Sequence, residues 1–452
     1  MDATTRHLVE FALDTTYDSL NSGTVHECKR RLIDTFACAI GAYEHPLSVS
    51  MRALTAGYSG KMKASIWGST QESTPEMAAF ANGVMLRVLD LSDTFLALGG
   101  AHPSDMISGL VAAAECAGAD GKALITATVI GYEVYCRFME AVDLGAQGWD
   151  QPVPSVLATT IGAGLLFNLS REQLGHAVSL ALTPNMALRQ TRHGELSNWK
   201  GCAGANASRN AMFAAILAKN GMEGPSDVFE GKQGLWFILG KFSWAPRATL
   251  QSAQMISSTH LKSLPVCYHD QSAALCALDL RRRITPEDIV EIECAAYKIA
   301  VEMTGGDPTR WAPHTRETAD HSMPFIVATA LAHGAVTIDS FDPGRLGDPK
   351  VADIMKKIKV IEDPALSAMW PSAAPTRITV RMRSGQSITV ETLYPKGHLR
   401  DPLSDEEVNA KFRTLYGNHG PAAAGEAALQ ALWNIEEAAD IGRAIRTLSP
   451  PV

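Results

Sequence analysis

Long apolar stretches with helical spacing fill roughly the first 260 residues of the chain. Their apolar residues recur three and four positions apart, as on one face of an α-helix. Some stretches are apolar on almost every face, such as PSVLATTIGAGLLFNL from Pro154. Two further helices are predicted with their ends, one capped by Ser104 and Asp105 and one running from Asn206 to a glycine stop at Gly221. A helix without a polar face has to be buried, so this half predicts a compact bundle with buried central helices.

Alternating patterns enter after about residue 265. The stretch TRITVRMRSGQSITVETLYP predicts two strands joined at Ser384 and Gly385, and DIVEIECAAYKIAV has a similar alternation. Helical patterns at HSMPFIVATALAHG and PKVADIMKKIKV lie between them, which is typical of a smaller α+β unit. The apolar residues of the hairpin are expected to share one face of the sheet: Ile378, Val380, Met382, Ile388 and Val390.

Helical spacing returns at Ser404, where Ser404 and Glu407 have the spacing of a capping box. The last helical stretches could rejoin the first bundle. We therefore predict a mainly α fold, with an all-helical domain formed by residues 1–264 and 404–452 and an α+β domain formed by residues 265–403.

Composition and charge exclude several classes of protein. The formal charge of −8 and the isoelectric point near 5.9 disfavour nucleic acid as a partner, because phosphate binding needs concentrated Lys and Arg. The sequence has no run of about 18 uninterrupted apolar residues, so we expect no membrane-spanning helix. The first residues lack a basic stretch before an apolar one, and we therefore expect a cytoplasmic protein.

The eight cysteines are scattered along the chain, and no two of them stand in a CxxC spacing. Most are expected to be buried free thiols. An iron–sulfur cluster needs clustered thiolates, so any chemistry that such a cluster performs elsewhere would have to use side chains here.

A first polar segment, LDLSDTFLALGGAHPSD, places Asp90, Asp93, Thr94 and His102 around a Gly-Gly turn. Two carboxylates and a histidine can serve acid/base chemistry. Taken alone, the segment can equally be a solvated loop whose polar residues cap helices. The ligand spacing does not support a metal site.

A second segment, RQTRHGELSNWKGCAGANASRNA, places Arg192 and Lys200 between two apolar helices. Its cations and the start of the following helix could bind an anion. Lys200 precedes small residues, which allow a ligand to approach the backbone. A basic surface loop explains the pattern equally well.

Two further segments place polar residues at helix starts. HLKSLPVCYHDQSAALCALDL carries Lys262 and His269 on either side of a proline turn, so both could point into one cleft. ETADHSMPFIVATAL carries Asp320, His321 and Ser322 at the start of an apolar helix. One histidine in such a place usually caps a helix, but the arrangement recurs at several helix starts and indicates a site.

These motifs resemble those of the MmgE/PrpD family. The match is distributed over roughly residues 5–415. The matching motifs occur in family order and include LDLSDTF, AHPSD, NWKGCAGANASRNA, LPVCYHDQSA, TADHSMPF and LYPKGHLRDPLSDEEVNAKF.

The resemblance implies a cofactor-independent enzyme, usually a homodimer, whose α+β domain is an inserted lid and whose active site lies between lid and helical domain. The implied reaction is dehydration of a 2-methylcitrate-like hydroxy polycarboxylate, and small polycarboxylic acids are the implied substrates. The positions that match the family's functional residues are Asp90, Thr94, His102, Lys200 and Lys262. His269 and His321 match polar positions near the site.

Other activities of the family use the same residue types. Decarboxylating relatives carry a histidine before a proline where this chain reads WDQPVPS, which makes decarboxylation a weaker alternative. Epimerisation of an iminodisuccinate-type dicarboxylate would need a base and an acid on opposite faces of one carbon. A catalytically silent member that binds a carboxylate is the alternative from another class.

We expect each site residue to have a definite role. Lys200, Lys262 and Arg192 would bind carboxylates, with Lys262 as an alternative base. His102 would transfer a proton, and Asp90 and Thr94 would orient it or the substrate hydroxyl. The remaining polar residues of the four segments are expected to contact substrate: Asp93, His269, His321 and Ser322.

Overall fold

The computed structural model describes residues 1–240 and 255–450. Parts of the predicted helical domain, residues 241–254 and 451–452, lie outside the described residues. The first part is mainly helical, as predicted, and carries two short hairpins: β1 (Ala64–Ser65) with β2 (Glu72–Ser73) and β3 (Phe95–Leu96) with β4 (Gly100–Ala101). Its helices are α1 (Ala3–Asp14), α2 (Ser22–Gly41), α3 (Pro46–Thr55), α4 (Pro75–Arg87), α5 (Ile107–Ala117), α6 (Gly121–Ala141), α7 (Pro152–Leu166), α8 (Arg171–Leu182), α9 (Trp199–Lys219) and α10 (Leu235–Leu239).

Helix α7 lies in the centre of the bundle and is buried at every position except Leu165. It packs between α6 and α9, and α9 packs on α4. At the α4–α9 contact a Cβ on Gly83 would lie 2.8 Å from the Cβ of Ala205, a distance that only glycine avoids. The prediction of buried central helices is confirmed.

Helix α9 begins at Trp199 rather than at Asn206, so the predicted start of this helix was wrong. The backbone N–H of Lys200 donates to Ser197 O at 3.0 Å, and that of Gly201 donates to Asn198 O at 3.1 Å. The small residues after Lys200 are buried within the helix, because they face the packed centre of the bundle. Lys200 therefore lies in the first turn of a helix instead of a loop.

The second part contains a four-stranded sheet formed by β5 (Ile289–Ala296), β6 (Ile358–Glu362), β7 (Thr376–Met382) and β8 (Ser387–Thr392), in the order β6-β5-β7-β8. Strand β6 is parallel to β5, and the other neighbours are antiparallel. The predicted hairpin is confirmed, since Ile378 pairs with Val390 and Val380 with Ile388. The helices of this part are α11 (Gln271–Arg281), α12 (Lys298–Thr304), α13 (Arg316–Ala319), α14 (Met323–His333), α15 (Pro349–Met355) and α16 (Pro364–Ser367).

One predicted helix in this part is shorter than its pattern suggested. Helix α15 ends at Met355, and the residues from Ile358 form strand β6. The β-branched residues Ile358, Val360 and Ile361 pair with β5 at the edge of the sheet. Pairing with a neighbouring strand overrides the helical spacing there.

The chain ends in α17 (Asp405–Tyr416), α18 (Ala422–Trp433) and α19 (Ile441–Ile445). The capping box of Ser404 and Glu407 is confirmed, with the Glu407 N–H donating to the Ser404 hydroxyl at 3.2 Å. Helix α17 packs against α2. One hydrophobic core accordingly joins residues 8–239 and 255–261 with residues 403–448, and another lies within residues 266–382.

Within residues 1–240 and 255–450, no helix is both long enough and apolar enough to cross a membrane.

Candidate active site

A cavity of about 360 Å³ is lined by residues from the segments that form the two hydrophobic cores described above. Residues 90–151, residues 189–193 and Lys262 form one side, and residues 267–321 contribute the other. Seven of the ten residues predicted for the site line this cavity: Asp90, Thr94, His102, Arg192, Lys262, His269 and His321. The structure therefore brings together parts of all four polar segments.

Asp90 and Lys262 form a buried ion pair at the cavity wall. The Lys262 Nζ lies 3.0 Å from Asp90 Oδ2 and also donates to the Asp90 backbone O at 2.9 Å. Asp90 has a φ of 50°, a left-handed conformation that Asp tolerates better than most residues. Burial lowers the pKa of Lys262. Although burial alone would raise the pKa of Asp90, the ammonium groups of Lys262 and Lys200 hold it well below its usual range.

Arg87 extends this ion pair into the protein. Its guanidinium lies 3.2 Å from Asp90 Oδ1 and 3.0 Å from Asp105 Oδ1, and all three side chains are buried. Burial raises the pKa of Asp105 to about 6. The prediction that Asp105 caps α5 was wrong, because the N-cap position of that helix is Met106 and the carboxylate faces Arg87 instead. The spacing of three residues between Arg87 and Asp90 was the signal in the sequence that could have indicated the contact between these two side chains.

His102 directly follows strand β4 of the β3–β4 hairpin and lines the cavity. Its Nδ1 lies 2.7 Å from the backbone O of Asp93, so Nδ1 carries the hydrogen, and the Thr94 hydroxyl lies 3.4 Å away. Burial lowers the pKa of His102 well below its usual value, and the positive charges of Arg87 and Lys262 lower it further. The imidazole is consequently neutral near pH 7 and keeps a lone pair on Nε2.

Asp93 supports this hairpin from behind and does not line the cavity. Its carboxylate accepts hydrogen bonds from the Ser104 N–H at 3.0 Å and the Tyr132 hydroxyl at 2.7 Å. Both interactions hold the turn that carries His102. The geometry is that of a structural residue, whereas the sequence had suggested substrate contact.

Lys200 lies behind His321 and also does not line the cavity. Its Nζ donates to Asp320 Oδ1 at 2.8 Å and lies 3.3 Å from His321 Nδ1. Nδ1 in turn lies 2.6 Å from Asp320 Oδ1. Burial lowers the pKa of His321 to about 4, with the neighbouring Lys200 charge acting in the same direction.

Ser322 is the N-cap of α14. Its hydroxyl accepts a hydrogen bond from the Phe325 N–H at 3.1 Å and donates to the backbone O of Arg310. It is fully buried and does not line the cavity. Its interactions satisfy backbone groups and leave it out of reach of a ligand.

His269 and Arg192 both line the cavity. His269 Nδ1 lies 2.6 Å from the Tyr297 hydroxyl, and burial lowers the pKa of this histidine to about 3. The Nε of Arg192 lies 2.9 Å from Asp150 Oδ2. One terminal nitrogen of Arg192 is buried without a hydrogen-bond partner among the described residues, and it remains a donor for an anionic ligand.

Asp90, Asp320 and His321 offer ligand atoms within 4.8 Å of one another, the spacing at which a cation could be bound. Both carboxylates are already paired with lysine ammonium groups at 3.0 and 2.8 Å. A metal ion would have to enter beside two positive charges. The arrangement is therefore that of an ion-paired cluster, in which lysine provides the positive charge.

The fold and this cavity define a mainly α-helical protein whose polar site is assembled from lysine, aspartate, arginine and histidine. Family models for the MmgE/PrpD N-terminal domain and the MmgE/PrpD C-terminal domain match residues 6–244 and 264–436. The chain belongs to the MmgE/PrpD family.

Curated relatives of the chain are enzymes of the lyase type. It is 27% identical to 2-methylcitrate dehydratase of Cupriavidus necator, over 94% of this chain and 92% of that protein. The same identity is found with 2-methylcitrate dehydratase of Escherichia coli strain K12, over 83% and 82%. Cis-aconitate decarboxylase of Mus musculus is 25% identical, over 87% and 83%.

Proposed function

We propose that this protein is a hydro-lyase that dehydrates a 2-methylcitrate-like hydroxy polycarboxylate. The observation that carries the proposal is the meeting of the Lys262 ammonium, the Thr94 hydroxyl and the neutral imidazole of His102 at one cavity wall. The cavity volume of about 360 Å³ suits a small acid. The dehydratases among its relatives support this reading.

The substrate carboxylates would be held by cations that line the cavity. Arg192 has a free donor, and Arg189 lies 4.0 Å from its nearest carboxylate, that of Asp150. Arg310 donates to backbone oxygens of Met303 and Gly194. These guanidinium groups would compensate for the negative charge of the ligand and for the charge that develops on a carboxylate when the neighbouring carbon loses a proton.

Dehydration needs a base for the carbon-bound proton and an acid for the departing hydroxyl. We assign the hydroxyl to the wall formed by His102, Thr94 and Lys262. The Nε2 lone pair of His102 would accept the hydroxyl hydrogen and orient the group. Lys262 would supply a proton to the oxygen, and burial makes this ammonium more acidic than an exposed lysine.

The test is a screen of the purified protein against 2-methylcitrate, citrate, cis-aconitate and iminodisuccinate, followed by NMR. Formation of the unsaturated acid from a hydroxy acid is the expected result. His102→Ala and Lys262→Ala should each lower turnover by about 10²–10⁴-fold. Lys396→Ala is the matched control, because this lysine pairs with Asp401 and Glu407 on the surface. Near-normal turnover of both site variants would contradict the assignment.

Epimerisation is the second candidate, since neutral imidazoles lie on both sides of the cavity. His102 lies in the segment that forms one side, and His269 and His321 lie in the segment that forms the other. Such an arrangement also suits removal and return of a proton on opposite faces of one carbon. In deuterated water, epimerisation would introduce deuterium without net alkene formation, whereas dehydration yields the alkene.

We propose further that residues 265–403 act as a lid on the helical part. The separate core within residues 266–382 and the cavity walls contributed from both sides support this. A bound acid should therefore protect backbone amides on both walls from hydrogen exchange. Protection confined to residues 90–193 would contradict the lid.

We also propose that the protein is a homodimer that associates through the groove beside α9. Trp199 and Leu188 line this groove and are 48% and 63% exposed, and no charged residue is among the described residues that line it. An uncharged groove with a half-exposed Trp resembles the centre of a protein interface. Light scattering should give twice the chain mass, and Trp199→Glu should give a single chain mass if the groove is the interface.

A further inference from the structure

Lys200 supports His321 and does not line the cavity. Its side chain is 1% exposed, and its ammonium donates to Asp320 Oδ1 and lies 3.3 Å from His321 Nδ1. Asp320 is fully buried, and its Oδ1 accepts from both groups. A carboxylate acceptor requires the hydrogen of His321 to be on Nδ1, which leaves a lone pair on Nε2.

Of the four histidines that line the cavity, His193 is exposed, and the other three differ in what faces Nδ1. In His102 it is the backbone carbonyl of Asp93, and in His269 it is the hydroxyl of Tyr297. Within the described part of the chain, only His321 of these three has a carboxylate there, at 2.6 Å. A base becomes positively charged when it accepts a proton, and a carboxylate at Nδ1 stabilises that imidazolium.

We propose that His321 is the base that removes the carbon-bound proton of the substrate, and that Asp320 and Lys200 are positioning residues that fix its tautomer and charge. This inference rests on the proposed acid/base reaction at the same cavity. It also gives Lys200 a different task from the carboxylate contact expected from the sequence.

The bond changes balance with the groups present. His321 Nε2 takes the proton from carbon, the electron pair of that C–H bond forms the double bond, and the C–O bond breaks. The departing hydroxyl takes a proton from Lys262 and leaves as water. Asp90 Oδ2 lies 3.0 Å from Lys262 Nζ and 4.0 Å from His321 Nδ1. After the product leaves, His321 Nε2 gives its proton to water in the cavity and the neutral amine of Lys262 takes a proton from water, which restores both groups.

The first test is the kinetic effect of variants along this chain of contacts. His321→Gln should lower kcat by about 10²–10⁴-fold with KM nearly unchanged. Asp320→Asn should lower kcat in the same way, because the amide can no longer balance the imidazolium charge. Near-normal kcat of the His321 variant would overturn the proposal. Circular dichroism of each variant controls for folding.

A matched pair of variants separates support from substrate binding. The charged groups that face His321 are Lys200, Asp320 and Asp90, and beyond them lie Lys262 and His269. Lys200→Gln removes a positive charge, so the pKa of His321 rises and the acid limb of the pH–rate profile moves upward while KM is retained. Arg192→Gln should instead raise KM and leave that limb in place. A Lys200 variant that raised KM and left the limb unchanged would overturn its supporting role.

The second test does not depend on turnover. In ¹⁵N-histidine-labelled protein, the His321 signals, assigned by their loss in His321→Gln, should show a protonated Nδ1 and an unprotonated Nε2 at neutral pH. The opposite tautomer, or an imidazolium, would overturn the proposal. If the wild-type protein converted none of the acids, the proposed function would fail, while this measurement would still decide the state of His321.

Discussion

Lys411→Met should weaken both the fold and the site, because one buried ammonium holds the main chain on either side of the Asp90–Lys262 pair. The Lys411 Nζ donates to Asp34 Oδ1 at 2.6 Å, to Leu91 O at 2.8 Å and to Lys262 O at 2.9 Å. These three acceptors use all the donors of the ammonium. Helix α17 thereby fixes the turn after Asp90 and the segment that carries Lys262.

The expected loss in the free energy of unfolding follows from the burial of Lys411 and Asp34. The Lys411 side chain is 10% exposed and that of Asp34 is 1% exposed, so removal of the ammonium leaves a buried carboxylate and two carbonyls without their donor. Loss of one partner of a buried pair costs about 3–5 kcal/mol. Protonation of Asp34, whose pKa burial already raises, limits the loss to this range. A displacement of about 1 Å at the site can cost about 10²-fold in rate.

The assay is urea unfolding followed by circular dichroism, together with kcat/KM on the acid identified by the screen. Lys411→Met should unfold at a lower urea midpoint with a similar slope. Lys396→Met is the control, since Lys396 lies just before the same helix, is 32% exposed and pairs with Asp401 and Glu407. Such exposed pairs stabilise by at most about 1 kcal/mol. Equal midpoints and equal activity of the two variants would refute the reasoning.

Three further predictions concern the site and its surroundings. Gly204→Ala places a Cβ 2.0 Å from Asp105 Oδ2, so we expect it to displace Asp105 from Arg87. Urea unfolding should show a loss of stability of about 1–3 kcal/mol. Gly201→Ala is the control and should be tolerated, because the nearest atom to its Cβ would be 3.6 Å away. Gln151 donates to Asp105 Oδ2 at 3.1 Å, so Gln151→Leu should move the pKa of Asp105 further upward, measurable by NMR; an unchanged pKa would contradict this. Four buried histidines have pKa values of about 3 to 4 in the folded chain, against 6.5 when unfolded: His260, His269, His321 and His398. The folded chain therefore binds fewer protons at these histidines, and their contribution to stability falls as the pH is lowered below about 6.5. Urea midpoints measured between pH 7 and pH 5 should show this loss.

The sequence by itself determined most of the secondary structure and the family. Helical spacing identified the buried helix α7, because an apolar face all round has no alternative to burial. The capping box at Ser404 and the register of the β7–β8 hairpin are local features, since their partners lie within a few residues along the chain. Motif order along the chain indicated the family, which the matches over residues 6–244 and 264–436 show.

The tertiary structure alone decided which polar residues reach the cavity. Lys200 and Asp320 are 120 residues apart, and Lys262 and Asp90 are 172 apart, so neither pairing is written in local spacing. A buried charge must find a partner wherever the fold supplies one. For Lys200 that partner is the carboxylate of Asp320, beside His321. The side chains of Asp93 and Ser322 form hydrogen bonds with backbone or hydroxyl groups. The polar segments could be recognised from sequence, but the division between cavity wall and support depended on packing between distant parts of the chain.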